Sequence, residues 1–475
     1  MQTSSPFPIA LVAAVFLAAF SALPMRAQSA PLSLGDAIRE ADQRAFGNRI
    51  ATATTAGDRA RARLPLKGIL PSARIEAGVV RTTDPIGAFG TTLRQRLVTP
   101  AAFAPATLNY PSAVTNAQGG LVLDVPLMNG DAWLGLRAAR AAAEASTAAG
   151  EWASVSTRTD VVRAYYGAIL AEAKAGVLAQ AQQAADAGVR QVRSMVTQGL
   201  VTKADALQAS VRASDVAAQL LNARSDALTA RQQLGLLMGR TTAELPTLPD
   251  ALPDDAAVMA LATHDTAAVA AANSATSATS STGEIRDDVR AAQAGVLAAT
   301  TDRRRAASTM LPRVNGFARY DWNDPRTLYA GQKNWTVGVM ASWSLFGGNA
   351  ELADVAVTSA RADAARAGLD AARAQSRLER DDAARRLTLS LQRLTLARDA
   401  ADQSREAHRL VQKRYDGGLA TIAELLAAES SATGTALAHA AARYAVIDAI
   451  ATWRRASGGD PAALTALDHS TTTAR

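Results

Sequence analysis

The chain has 475 residues, 48% apolar but only 4% aromatic, with a net charge of +7. Much of the apolar share is alanine, which lets helices approach closely but fills a thick globular core badly, so three ordinary compact domains are a poor description. Its arginines interleave with acids at helical spacing, as in Asp381 with Arg385 and Asp382 with Arg386, which describes solvated helix faces and not a nucleic-acid footprint.

Residues 1–30 read as a signal peptide: Ile9–Leu23 is apolar yet too short to cross a bilayer, and small residues follow at Ala27, Ser29 and Ala30. No later run of apolar residues is long enough for a transmembrane helix. A helix is predicted from Leu34, just after the cap Ser33, to about Leu64. Two strands follow over Arg74–Val80 and Gly120–Leu127, joined by a Gly-, Pro- and Thr-rich loop over Asp84–Pro111. A very long helix over about Asp131–Thr197 stops at Gln198-Gly199, and another spans about Lys203–Met238. Residues 240–283 read as a connector, with helix-breaking Pro246, Pro249 and Pro253 and a Ser/Thr/Ala low-complexity stretch over Asn273–Gly283. Beyond it come a helix over 283–311, strands over Val314–Trp322 and Trp335–Leu345, and helices over 349–416 and 421–457. Residues 459–475 read as a disordered tail.

This list contains one unit twice. Gly199-Leu200 and Gly418-Leu419 lie 219 residues apart, and the helices that follow them end at Met238-Gly239 and Ser457-Gly458, again 219 apart. A first repeat over 31–239 therefore recurs over 284–458. In each copy the two flanking helices add up to the length of the long one, about 100 Å at 1.5 Å per residue. The simplest packing sets the two shorter helices end to end beside the long one. Val162, Tyr166, Ile169 and Ala173, and again Leu387, Leu391 and Leu394, supply the narrow apolar seams such packing needs.

The strands carry a second signal. Trp335, Val337, Val339, Ala341, Trp343 and Leu345 share one face, and Thr336, Gly338, Met340, Ser342 and Ser344 share the other. Two tryptophans eight residues apart span about 27 Å of strand, or about 20 Å of height once tilted, as aromatic girdles do around a membrane barrel's apolar band. A half-buried strand in a soluble sheet is the alternative. Four strands per chain cannot enclose a barrel, so a membrane barrel would have to be shared between subunits.

The segments Leu32-Ser33-Leu34-Gly35-Asp36-Ala37-Ile38, Leu70-Pro71, Val337-Gly338-Val339, Leu345-Phe346-Gly347-Gly348 and Arg414-Tyr415-Asp416-Gly417-Gly418-Leu419-Ala420-Thr421, in this order and duplicated, resemble the TolC family of outer membrane efflux proteins. The resemblance implies a mainly α chain with a small antiparallel β part: long helical hairpins forming a trimeric α-barrel in the periplasm and a shared 12-strand barrel in the lipid of the outer membrane. It implies a passive exit duct without enzymatic activity, cofactor or metal. The implied partners are two further copies of the chain, a periplasmic adaptor and an inner-membrane transporter of the RND, ABC or MFS type, with no nucleic acid. The family's acidic aperture ring maps onto Glu424, with Asp205 in the related place of the first copy. Ala427 takes the second acidic position, so half of the ring is absent; Glu429 lies two positions further on. The tips Gly199, Leu200, Gly418 and Leu419 map onto the adaptor-docking surface, and Trp335 and Trp343 onto the lipid-facing girdle. The rival reading is a water-soluble periplasmic coiled-coil adaptor, for which such a girdle would have no use. A secreted enzyme lacks candidates: four scattered histidines and no cysteine leave no metal cluster and no nucleophile–base pair.

Overall fold

A computed structural model describes residues 31–241, 243–275 and 286–467. The expected signal peptide, most of the low-complexity stretch and residues 468–475 lie outside the described residues.

Helix α1 (Leu34–Arg44) starts at Ser33, whose hydroxyl accepts from the Asp36 N–H at 3.1 Å. Helix α2 (Phe46–Arg61) follows almost at once. The single helix expected over 34–64 is therefore broken, at Ala45, where ψ is 133°. No proline lies at the break, and the nearest glycine, Gly47, falls inside the following helix. Ala45 is buried in the core at the bend, and the Asn48 side-chain amide donates to the Ala41 carbonyl at 3.3 Å, so tertiary packing makes the kink.

Strand β1 (Ser72–Thr82) leads into a loop that holds helices α3 (Pro85–Arg94) and α4 (Pro105–Asn109). Strand β2 (Val114–Met128) returns, and helix α5 (Gly130–Thr197) extends directly from it for 68 residues. Helix α6 (Lys203–Leu237) closes the first repeat. The connector contains helix α7 (Asp255–Ala275). The second repeat comprises α8 (Asp287–Ser308), β3 (Arg313–Asp324), β4 (Gln332–Ser342), α9 (Ala350–Asp416) and α10 (Ile422–Ser457). Among the described residues no helix is long and apolar enough to cross a membrane.

The helices pack side by side as expected. The flanking helices are nevertheless shorter than the sum required, at 22 and 36 residues beside one of 67 in the second repeat. In the first repeat α5 lies beside α2 over one part and α6 over another; in the second, α9 lies beside α8 and α10 in the same way, and α8 and α10 also pack on α5. The two expected seams meet in one core at the waist of the helical part, where Val162, Tyr166, Ile169, Leu387 and Leu394 are all buried.

The connector belongs to that core. Leu248, Leu252, Val258 and Ala262 are buried in it. Asp255 accepts from Arg443 Nε at 2.7 Å and lies 2.8 Å from His439 Nε2, while the buried Asp265 accepts from Arg454 Nε at 2.8 Å. The expected disordered tail is packed as far as Leu467. A 3₁₀ turn over Pro461–Thr465 sinks Leu464 and Leu467 into the same core, and Arg158 bridges Asp42 and Asp460. Leu464 and Leu467, with the buried Pro461, anchor it.

The four strands form one antiparallel sheet in the order β1-β2-β3-β4. Both edges, β1 and β4, are open among the described residues. Because β2 runs straight into α5, and β4 into α9 through a short turn, the sheet stands at one end of the helical hairpins and the Gly-Leu turns stand at the other.

Candidate functional site

The sheet has two chemically different faces. Tyr320 pairs with Trp335, Ala318 with Val337, Gly316 with Val339 and Val314 with Ala341, so all eight share one side. The β2 register adds Leu121, Leu123 and Val125 to it, and the β1 register adds Ala73, Ile75 and Val79. Ile75, Val79, Val337 and Val339 are each 64–70% exposed in the single chain. Charged residues reach this face only at its loop end, at Arg81, Asp324 and Lys333.

The opposite face is ionic. Arg74 pairs with Glu76 at 2.8 Å and with Asp124, and Arg319 pairs with Asp321 at 2.7 Å and Glu76 at 3.3 Å. An apolar exterior that alternates with a polar interior, residue by residue, is the arrangement of a membrane barrel wall.

Aromatic residues mark both ends of the apolar face. Trp343 follows β4 at the helix end, and its indole N–H donates to the Met310 carbonyl at 2.9 Å. At the loop end Trp335 is joined by Tyr320 and Trp322, whose rings meet edge to face at 5.0 Å, and by Tyr329, 6.1 Å from Trp322. Tyr329 was not legible in the sequence. It folds back from the β3–β4 loop with φ of 60°, and its ring lies where a Cβ on Gly119 would come within 2.5 Å, so glycine is required beneath it.

The β1–β2 loop covers the ionic face. Gln95 donates from its amide to the Asn116 side chain and to the Thr115 carbonyl, both at 2.9 Å, and Asn116 donates to Asn323 at 2.9 Å. All three amides are buried. Each satisfies the next, which fixes the loop against the polar wall.

The two tips are built alike. Gly199 and Gly418 adopt φ of 71° and 72°, closing turns in which Leu200 N–H donates to Met195 O at 2.9 Å and Leu419 N–H to Arg414 O at 2.7 Å. Among the described residues nothing lies within 4 Å of a Cβ added at either glycine, and Leu200 and Leu419 are 65% and 74% exposed. Each turn is followed by a capping box. Thr202 and Thr421 accept from the N–H groups of Asp205 and Glu424 at 3.3 Å, and those carboxylates accept from the threonine N–H groups at 2.8 and 3.2 Å.

The structure thus commits both predicted ring carboxylates to local capping. The Thr202 hydroxyl, with its backbone N–H, holds the Asp205 carboxyl below the usual range. Asp205 and Glu424 are brought to one end of the molecule because the tips pack on each other: Tyr415, Ile422 and Leu425 are buried against Val192 and Ala209, and the Tyr415 hydroxyl lies 3.7 Å from Met195 Sδ. Burial raises the Tyr415 hydroxyl's pKa, with Asp205 adding to the effect. Glu429 lies further up the hairpin, half-buried, where burial pushes its carboxyl up against the opposing pull of Arg212 and His408.

Residues 88–240 and 279–459 match the family model for outer membrane efflux proteins. The chain belongs to the outer membrane efflux protein family. No curated protein sequence matches it. Solved structures do. The CmeC outer membrane channel of Campylobacter jejuni superposes with a TM-score of 0.74 at 15% identity, covering 92% of this chain and 89% of that one. VceC of Vibrio cholerae gives 0.72 at 20% identity, covering 90% and 96%. The open-state MtrE channel of Neisseria gonorrhoeae gives 0.69 at 18%, covering 90% and 89%. At such identities the likeness is one of fold. As an outer membrane efflux protein the chain is a passive exit duct, with its strands in the outer membrane and its helices extending as a tunnel into the periplasm. The soluble-adaptor reading is set aside.

Proposed function

We propose that three copies of this chain close β4 of one against β1 of the next, giving a twelve-stranded barrel continued by a helical tunnel. The two-faced sheet with two open edges carries this reading. Its apolar side meets lipid, with Trp335 in the outer girdle and Trp343 in the inner one, and its ionic side meets water. A heat-sensitive trimer extracted from the outer membrane only by detergent is the expected result. A folded, unassociated monomer in detergent-free buffer would sink the reading.

The tips serve as the docking surface for a periplasmic adaptor, which joins the duct to an inner-membrane transporter of the RND, ABC or MFS type. Exposed Leu200 and Leu419 on glycine turns support this. Replacing Gly199 or Gly418 with valine forces a side chain into a left-handed conformation, at about 1–2 kcal/mol. Nothing nearby clashes, so the trimer should still assemble while export falls several-fold in a cell-based efflux assay. Loss of the trimer itself would show that the glycines serve folding alone.

Three copies of Glu424 and Asp205 at the tunnel's narrow end would favour cations. Glu424→Gln keeps an acceptor for the capping box but removes the charge. Single-channel recordings of this variant should show weakened cation preference at neutral pH. Unchanged conductance and selectivity would assign Glu424 to helix capping only.

A further inference from the structure

The loop end of the molecule carries unbalanced positive charge. Over residues 81–113 and 324–333 there are five cations, Arg81, Arg94, Arg96, Arg326 and Lys333, against two acids, Asp84 and Asp324. Both acids are occupied by backbone: Asp84 accepts from the Gly87 N–H at 2.6 Å, and Asp324 from those of Arg326 and Thr327 at 2.8 and 2.9 Å. None of the five cations forms an ion pair among the described residues, whereas Arg74 and Arg319, lower on the sheet, each hold two carboxylates.

Arg81 and Lys333 differ from the other three in their placement. The register puts Arg81 on the side of Val79 and Ile75, and Lys333 on the side of Trp335 and Val337. Both are exposed. They therefore stand on the apolar face at its loop end, Lys333 level with Trp322 in the aromatic cluster and Arg81 beyond that row. They also sit on the two edge strands. Closure of β4 against β1 brings Lys333 of one copy and Arg81 of the next onto adjacent strands at the same end of the barrel.

We propose that each seam between copies binds the phosphate of a phosphorylated glycolipid in the outer leaflet, using Lys333 from one side and Arg81 from the other, with the sugar against the aromatic rim and the acyl chains on Val337, Val339 and Ile75. The inference rests on the barrel reading above. Two unpaired cations above an apolar wall match a ligand that is anionic at its head and apolar below, and a free anion would have no use for the wall.

Wild-type trimer and the Arg81→Gln/Lys333→Gln variant would be mixed in detergent with bisphosphorylated lipid A, or with the same lipid stripped of phosphate, and bound lipid counted by native mass spectrometry. The wild type should hold the phosphorylated lipid on the order of tenfold more tightly than the variant, and both should hold the stripped lipid equally weakly. Arg94→Gln/Arg96→Gln, on the loop that covers the ionic face, should bind as the wild type does. Equal retention by wild type and the first variant would overturn the proposal, as would full displacement of the lipid by millimolar inorganic phosphate. Absence of a trimer before lipid is added would instead sink the barrel reading, so the two failures are distinguishable.

Discussion

Val339→Arg should nearly abolish the trimer recovered from outer membranes, while Met340→Arg, one residue along the same strand, should leave it within about twofold of wild type. Val339 lies midway between Trp335 and Trp343, opposite Gly316 on the apolar face, and Met340 lies opposite Asn315 on the ionic face. In the isolated chain the two are almost equally exposed, at 68% and 61%. A soluble sheet would therefore tolerate both charges alike. In a barrel wall the first arginine meets hydrocarbon near the bilayer centre, at about 2–4 kcal/mol, and the second meets water. The penalty recurs in each of three copies, which is why the expected loss is large. The heat-sensitive trimer band in outer-membrane fractions, read for both variants side by side, decides the matter; equal yields would remove the membrane assignment of this face.

The alternation in β4 was readable because it runs from Trp335 through Ala341 and carries on to Trp343 just past the strand's end. Helix ends were readable for a related reason. Gly199, Gly239, Gly418 and Gly458 all adopt positive φ, and a glycine after a long periodic run has few other roles. What stayed hidden depends on contacts between distant segments. The break at Ala45 is enforced by burial, not by the residue's own preferences. The packing of Leu464 and Leu467, and of α7 within the connector, follows from a core assembled by other helices. Tyr329 reaches the aromatic rim only because Gly119, over two hundred residues away, leaves room for its ring. The carboxylates of Asp205 and Glu424 are a different case. Their spacing after Thr202 and Thr421 is a capping box in the sequence itself, and a ring role in the assembly would use the same atoms.

Gly239→Ala should be among the most damaging single-methyl substitutions in the chain. Gly239 ends α6 with φ of 77°, and an added Cβ would lie 2.7 Å from the Arg44 carbonyl carbon, in the turn between α1 and α2. The neighbour is backbone, so no rotamer change relieves the clash. Left-handed strain of about 1–2 kcal/mol and a forced main-chain shift of about 1–3 kcal/mol add to roughly 3 kcal/mol per copy. Gly418→Ala is the internal control, because its φ is nearly the same and nothing lies within 4 Å. It should show the strain without the clash. The shift would also pull Arg240 from Glu40, which it grips through two hydrogen bonds of 2.9 and 2.6 Å. That grip holds the Glu40 carboxyl below its ordinary value of 4.5. A lowered folded pKa means the stabilisation is fully present above the unfolded value and is lost as pH falls through the folded one. Melting of the detergent-solubilised wild type should therefore show this loss at acid pH below the ordinary glutamate range, and Arg240→Gln should remove that part of the pH dependence. If Gly239→Ala melts like Gly418→Ala at neutral pH, the α6 end is not pressed against the α1–α2 turn, and the waist must be held by its other ion pairs.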